Sequence, residues 1–145
     1  MQGSRKLHCR VGDQKQLIMS KNIPTHLTHK PIVAIDYEKI DEEAKAGDTK
    51  SLSIGKATWD VKTDFSAKIF RKTYNTGRWS RQGVELALWR LLDLATLLVA
   101  TIKGKESEVG AILVSSNDNL EKLREHFQEH KDLLEPRIEK LKSLL

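Results

Sequence analysis

From Leu86 to Ile102 the chain runs seventeen residues, LALWRLLDLATLLVATI, in which only Arg90 and Asp93 are charged. A membrane span needs about 20 clean apolar residues, so this run is short of one and reads as a core helix. Ser80 is a good N-cap for it. The pattern predicts a helix over about Arg81 to Lys103, ended by Gly104 as the left-handed residue past the C-cap. Lys103 in the last turn suits the helix dipole. Glu85, Arg90 and Asp93 lie inside this otherwise apolar cylinder. Arg90 and Asp93 are three apart and share a face, and buried charges are costly unless paired. We read the three as a structural ion pair, with Arg81 able to join Glu85. The chemical alternative has Glu85 and Asp93 holding a cation or acting as acid and base. No nucleophile accompanies them, so an enzyme is the less favoured class.

The residues that feed into this helix are of another kind. SAKIFRKTYNTGRW, Ser66 to Trp79, sets Lys68, Arg71, Lys72 and Arg78 among Phe70, Tyr74 and Trp79. Period 2 predicts a strand over Phe65–Tyr74 with Phe65, Ala67 and Ile69 on the interior face. Ser66, Lys68, Phe70, Lys72 and Tyr74 then form an outward basic-aromatic face. Asn75-Thr76-Gly77 is a turn, because Asn and Gly tolerate positive φ. Lys68, Arg71, Lys72, Tyr74, Arg78, Trp79 and Arg81 are the candidate binding residues: cations for an anionic partner, rings for stacking. The bland alternative is a solvated outer face with Trp79 against the helix.

Three more strands are predicted: Ile32–Tyr37, Ser51–Trp59 with Leu52 and Ile54 on one face, and Ala111–Ser116. Asp60–Asp64 suits the hairpin connection between the second and third. Asp118 with Glu121 reads as a capping box for the last helix. That helix carries Leu120, Phe127, Leu134 and Leu141 at seven-residue spacing, but His130 and Arg137 occupy the second apolar position. Only short heptads fit, and Pro136 should kink or restart the helix. Its stripe packs on the protein's own sheet or forms a homodimer seam.

His26 and His29 are three apart in a loop, and His126 and His130 are four apart on a helix, which is metal-ligand spacing. Without a motif-marked third ligand we assign no metal and no cofactor. Residues 1–18 show neither helical nor strand periodicity and read as a leader, with a single domain over 19–145. Cys9 is the only cysteine, so no disulfide forms within the chain. With no signal-peptide pattern, the expectation is a cytoplasmic protein without a membrane segment. The net charge of +5 favours an anionic partner, either acidic protein or nucleic acid.

Four segments, IPTHLTHKPIVAIDY, LSIGKATWD, SAKIFR and RWSRQGVELALWRLLDLATLL, together resemble a family of bacterial proteins known only as a domain of unknown function. The resemblance covers about Ile23 to Ile102 and centres on Trp-Ser-Arg-Gln-x-x-Glu-Leu. It implies no activity, because none attaches to the family, and it implies Met19 as the start. The chain departs from the family pattern at Ala87, where Pro is expected, and at Trp89, where His is expected.

The resulting expectation is an α+β fold: a small, mainly antiparallel sheet packed by a long central helix and a charged C-terminal helix. Its function is that of a binding or regulatory module acting through the basic-aromatic hairpin. The alternatives are nucleic-acid or nucleotide binding, and a metal-dependent enzyme using Glu85 and Asp93.

Overall fold

A computed structural model describes residues 21–42, 47–80 and 83–145. Residues 1–18, with Cys9, lie outside the described residues, as does Arg81. The fold is α+β, a four-stranded antiparallel sheet and three helices. The chain divides into two compact units, one ending at Leu91 and the other running from Leu92 to Leu145.

The first unit holds the sheet, in the order β1 (Lys30–Asp36), β2 (Thr49–Ala57), β3 (Asp60–Arg71), β4 (Glu85–Ala87). β1 is an edge strand, which is why Pro31 is tolerated: the missing N–H is one that an edge need not supply. The β1–β2 register shifts between Pro31 and Val33. Here the β1 backbone comes so close to β2 that a Cβ on Gly55 would lie 2.0 Å from the Lys30 carbonyl oxygen. The β2–β3 turn is two residues, Thr58 and Trp59, with Ala57 opposite Asp60. The predicted connection, Asp60–Asp64, is instead the start of the twelve-residue β3.

The helix expected from Arg81 begins later. α1 is Leu88–Ile102, and Glu85–Ala87 forms β4 against Ser66–Lys68. The outer edge of β3 carries backbone groups that must be paired. Val84 takes the Ile69 N–H and Arg71 takes the Ser80 N–H, so this segment completes the sheet before helix begins. Gly104, at φ 69°, ends α1 as predicted, with Gly104 N–H donating to the Thr101 carbonyl and Lys105 N–H to that of Ala100.

The second unit carries the end of α1, α2 (Asn117–Glu129) and α3 (Lys131–Ser143). Ala111–Ser116 is not a strand, and the fourth place in the sheet, beside β3, belongs to Glu85–Ala87. Ser116 caps α2, accepting from Asn119 N at 3.2 Å, in place of the expected Asp118. The helical break falls at His130, and α3 runs on through Pro136.

Candidate functional site

The buried face of the sheet is the opposite of the one expected. Along β2 the buried positions are Ser51, Ser53, Gly55 and Ala57, and along β3 they are Ser66 and Phe70. Phe65 is 46% exposed and Ile54 42% exposed on the other face. Four small residues on one side of β2 make a flat floor, which main chain can approach closely. The segment before β1 does so, burying Asn22, Ile23, Pro24 and His29. Ser51 Oγ donates to the Asn22 carbonyl, and Asn22 Nδ2 donates to Asp36 at 2.9 Å and Glu38 at 3.1 Å.

The centre of this face is a chain of polar groups. His29 Nε2 lies 2.9 Å from Ser53 Oγ, and Nδ1 lies 3.0 Å from Ser66 Oγ. Ser66 Oγ is 2.9 Å from Glu85 Oε2. An ionised carboxylate only accepts, so Ser66 spends its single proton on Glu85. Ser66 must then accept from His29 Nδ1–H, which leaves Nε2 to accept from Ser53. The order is Ser53 to His29 to Ser66 to Glu85. Glu85 also accepts from Thr58 N and Thr58 Oγ1, both at 2.7 Å, and from Lys68 Nζ at 3.4 Å.

Burial lowers the His29 pKa; the nearby Glu85 charge opposes this and Lys68 adds to it, for a net fall below the ordinary value. Burial pushes the Glu85 carboxyl up, but the Thr58 and Ser66 hydrogen bonds and the Lys68 charge outweigh it and hold the group below the usual range. His29 is therefore neutral and Glu85 ionised at neutral pH.

A hydroxyl, an imidazole and a carboxylate in sequence have the connectivity of a nucleophilic array, with Ser66 interposed. The burial rules out that use. Ser53 is 4% exposed and His29 1% exposed, so a reacting atom cannot come within the roughly 3 Å of Ser53 Oγ that attack requires. The array is a structural clamp that joins the pre-β1 segment, β2, β3 and β4. Glu85 does not sit on the apolar helix as expected. It is a β4 residue with two donors on each oxygen, so the acid-base role weighed for it has no room. Arg90 and Asp93 do lie on α1, both exposed.

The binding residues read from the sequence separate into inner and outer sets. Lys68 points inward, onto Glu85 and 5.7 Å from the Phe70 ring centroid. Arg71 pairs with Asp48, at 2.6 Å, and that contact lowers the Asp48 pKa. Phe70, expected outside, is 1% exposed. Lys72 and Trp79 face each other across an isolated bridge, with Lys72 Nζ 4.7 Å from the indole centroid. Thr73 N–H donates to Arg78 O and Gly77 N–H to Thr73 O, closing a tight hairpin whose Gly77 sits at φ 63°. Tyr74 and Arg78 are exposed at its tip. The rings continue inward: Trp79 meets Phe70 edge-on at 5.9 Å, and Phe70 meets His29 at 5.5 Å. His29 has both nitrogens engaged by hydroxyls, so the metal-ligand spacing of His26 and His29 does not make a metal site.

Residues 21–107, well over half of the chain, match a family of unknown function, DUF6530. The chain belongs to that family. No curated protein and no solved structure matches the chain. The matched span contains every member of the buried array and the whole hairpin. Among the described residues, no helix is long and apolar enough to cross a membrane.

Proposed function

We propose that this member of the DUF6530 family is a non-catalytic binding module. Its contact surface is the Lys72–Trp79 hairpin, which meets an acidic segment of a partner protein. Lys72, Tyr74, Arg78 and Trp79 carry the contact, with Arg81 following them in sequence. The observation behind this reading is the hairpin itself: a tip with Tyr74 79% exposed, on a base where Lys72 is stacked over Trp79. An exposed tyrosine and a half-buried tryptophan, flanked by cations on a pre-ordered turn, have the composition of an interaction hot spot. Lys68 and Arg71 leave the contact set, because Glu85 and Asp48 already hold them.

Their removal also favours one class of partner over the other. A nucleic-acid strand needs a continuous basic track along its backbone. The hairpin keeps Lys72 and Arg78 among the described cations, which suits a short acidic peptide better. The test is fluorescence anisotropy with a labelled acidic peptide and with single- and double-stranded oligonucleotides, from about 50 to 200 mM salt. We expect the acidic peptide to bind, and the Tyr74→Ala/Arg78→Ala double variant to lose at least about tenfold. Oligonucleotide binding should fall with a log–log salt slope no steeper than about −2. A slope of about −4 or steeper would assign nucleic acid instead. Equal binding of all probes by parent and double variant would overturn the hairpin as the contact surface.

A further inference from the structure

His126 and Glu129 lie in the last turn of α2, and His130 is the residue between α2 and α3. Positions three and four apart share a helical face, and here the side chains converge. The two imidazole centroids are 4.2 Å apart, their planes inclined by 36°. One ligand atom from each of the three residues lies within 4.8 Å of the other two. A second observation points the same way. His130 Nδ1 is 3.0 Å from the His126 carbonyl oxygen. A carbonyl only accepts, so Nδ1 holds the proton and Nε2 keeps its lone pair. Metal-binding histidines have this arrangement: the other ring N–H donates to a backbone carbonyl, which fixes the tautomer and aims the ligand nitrogen.

We propose that His126, Glu129 and His130 form a three-ligand site for a borderline divalent transition ion, with Zn(II) as the ion to test. Two imidazoles and one carboxylate are a nitrogen-and-oxygen set that suits Zn(II), and three protein ligands leave a fourth position for water. Ligand atoms about 2.0–2.1 Å from a tetrahedral zinc are about 3.3 Å apart. The side chains must draw closer and present His130 Nε2 to reach this, a rotamer adjustment open to groups at the surface. His130 has φ −109° and ψ 20°, outside helical values. An ion bound here ties the last turn of α2 to the break and fixes the direction in which α3 leaves it.

The experiment titrates Zn(II) into the full chain in competition with a chromophoric chelator. It uses a Cys9→Ser background, so that the His8-Cys9 pair does not compete. Long-range ¹H–¹⁵N spectra of the imidazoles report which rings bind. One equivalent per chain is expected, with the His126 and His130 signals shifting together. Loss of an outer-shell partner alone typically costs 10- to 100-fold in metal affinity. His126→Ala/His130→Ala should therefore lose more than about 100-fold, and Glu129→Gln about tenfold. Circular dichroism of the unliganded variants checks that the helices are intact. Affinity in the double variant within about threefold of the parent would overturn the site. So would shifts confined to other histidines.

Discussion

Replacing His29 with alanine tests the buried array most directly. The imidazole is 1% exposed and bridges two hydroxyls, at 2.9 and 3.0 Å. Its removal forfeits two hydrogen bonds, each worth about 1 kcal/mol net. Ser66 keeps Glu85 as an acceptor, but Ser53 is left buried with its proton unused, which raises the cost of that bond toward 2 kcal/mol. The void left beside Phe70 adds about 1–2 kcal/mol. The expected loss is about 3–5 kcal/mol, a large part of the 5–15 kcal/mol typical of a domain. His29→Gln fills most of the space and gives Ser53 an acceptor again, so it should cost about 1–2 kcal/mol. Urea titration followed by tryptophan fluorescence reads both. With m near 2 kcal/mol per molar, the alanine variant's midpoint falls by about 2 M while m is unchanged. An alanine variant within about 1 kcal/mol of the parent would refute the reasoning. A glutamine variant worse than alanine would refute it equally.

Gly55→Ala should do more damage than its size suggests. The new methyl would overlap the Lys30 carbonyl at 2.0 Å, and backbone on a paired strand cannot swing aside as a side chain does. The cost should exceed about 3 kcal/mol; a melting temperature within about 4 °C of the parent, the shift that ~1 kcal/mol produces, would contradict it. Acid should destabilise the fold in two stages. His29 has a folded pKa below its ordinary 6.5, so the unfolded chain binds that proton more readily, and the contribution present above pH 6.5 is lost as pH falls below it. Glu85, below its ordinary 4.5, contributes above that value and loses its share as pH falls further. Unfolding free energy measured from pH 8 to 2 should drop by at most ~1.4 kcal/mol per pH unit for each group. In His29→Gln the upper stage should vanish and the lower should remain; an upper stage that persists would remove His29 as its cause.

The fold class was legible in the sequence, and so were three strands, each within a few residues. Gly104 also marked the end of α1 correctly, because positive φ at a helix end has few solutions. Other features were not legible, for related reasons. β4 lies where local propensity favours helix. The unpaired edge of β3 and the donors awaiting Glu85 override that preference, and neither can be seen from residues 84–87 alone. The inward face is not legible because the larger apolar residues, Leu52, Ile54, Phe65 and Ile69, mark the opposite face as the core by size alone. What decides burial here is the covering element, irregular main chain from Asn22 to His29, which needs small neighbours and hydroxyl partners. The alternation of Ser51, Ser53, Gly55 and Ala57 was the available signal. The polar array itself was hidden, since positions 29, 53, 66 and 85 have no common spacing. The hairpin tip was legible, but the inward turn of Lys68 depends on the register of β3 against β4.

A polar core of this kind is a poor route to raw stability, since apolar groups of the same volume would do as well or better. What it supplies is a unique arrangement, because each hydroxyl and ring nitrogen accepts only one set of partners. That specificity extends beyond the array. His29 meets the edge of Phe70, Phe70 meets Trp79, and Trp79 carries Lys72 on its face. The rotamers of the outermost pair are thus set by contacts that begin at a ring fixed on both nitrogens. On the proposed reading, a partner meeting the hairpin would find Lys72 and Trp79 already ordered, with the entropy of fixing them spent in folding instead of in association. The serine-rich interior and the exposed hairpin are therefore parts of one construction. This accounts for a histidine, where an aliphatic side chain would pack at lower cost, beneath the base of the hairpin.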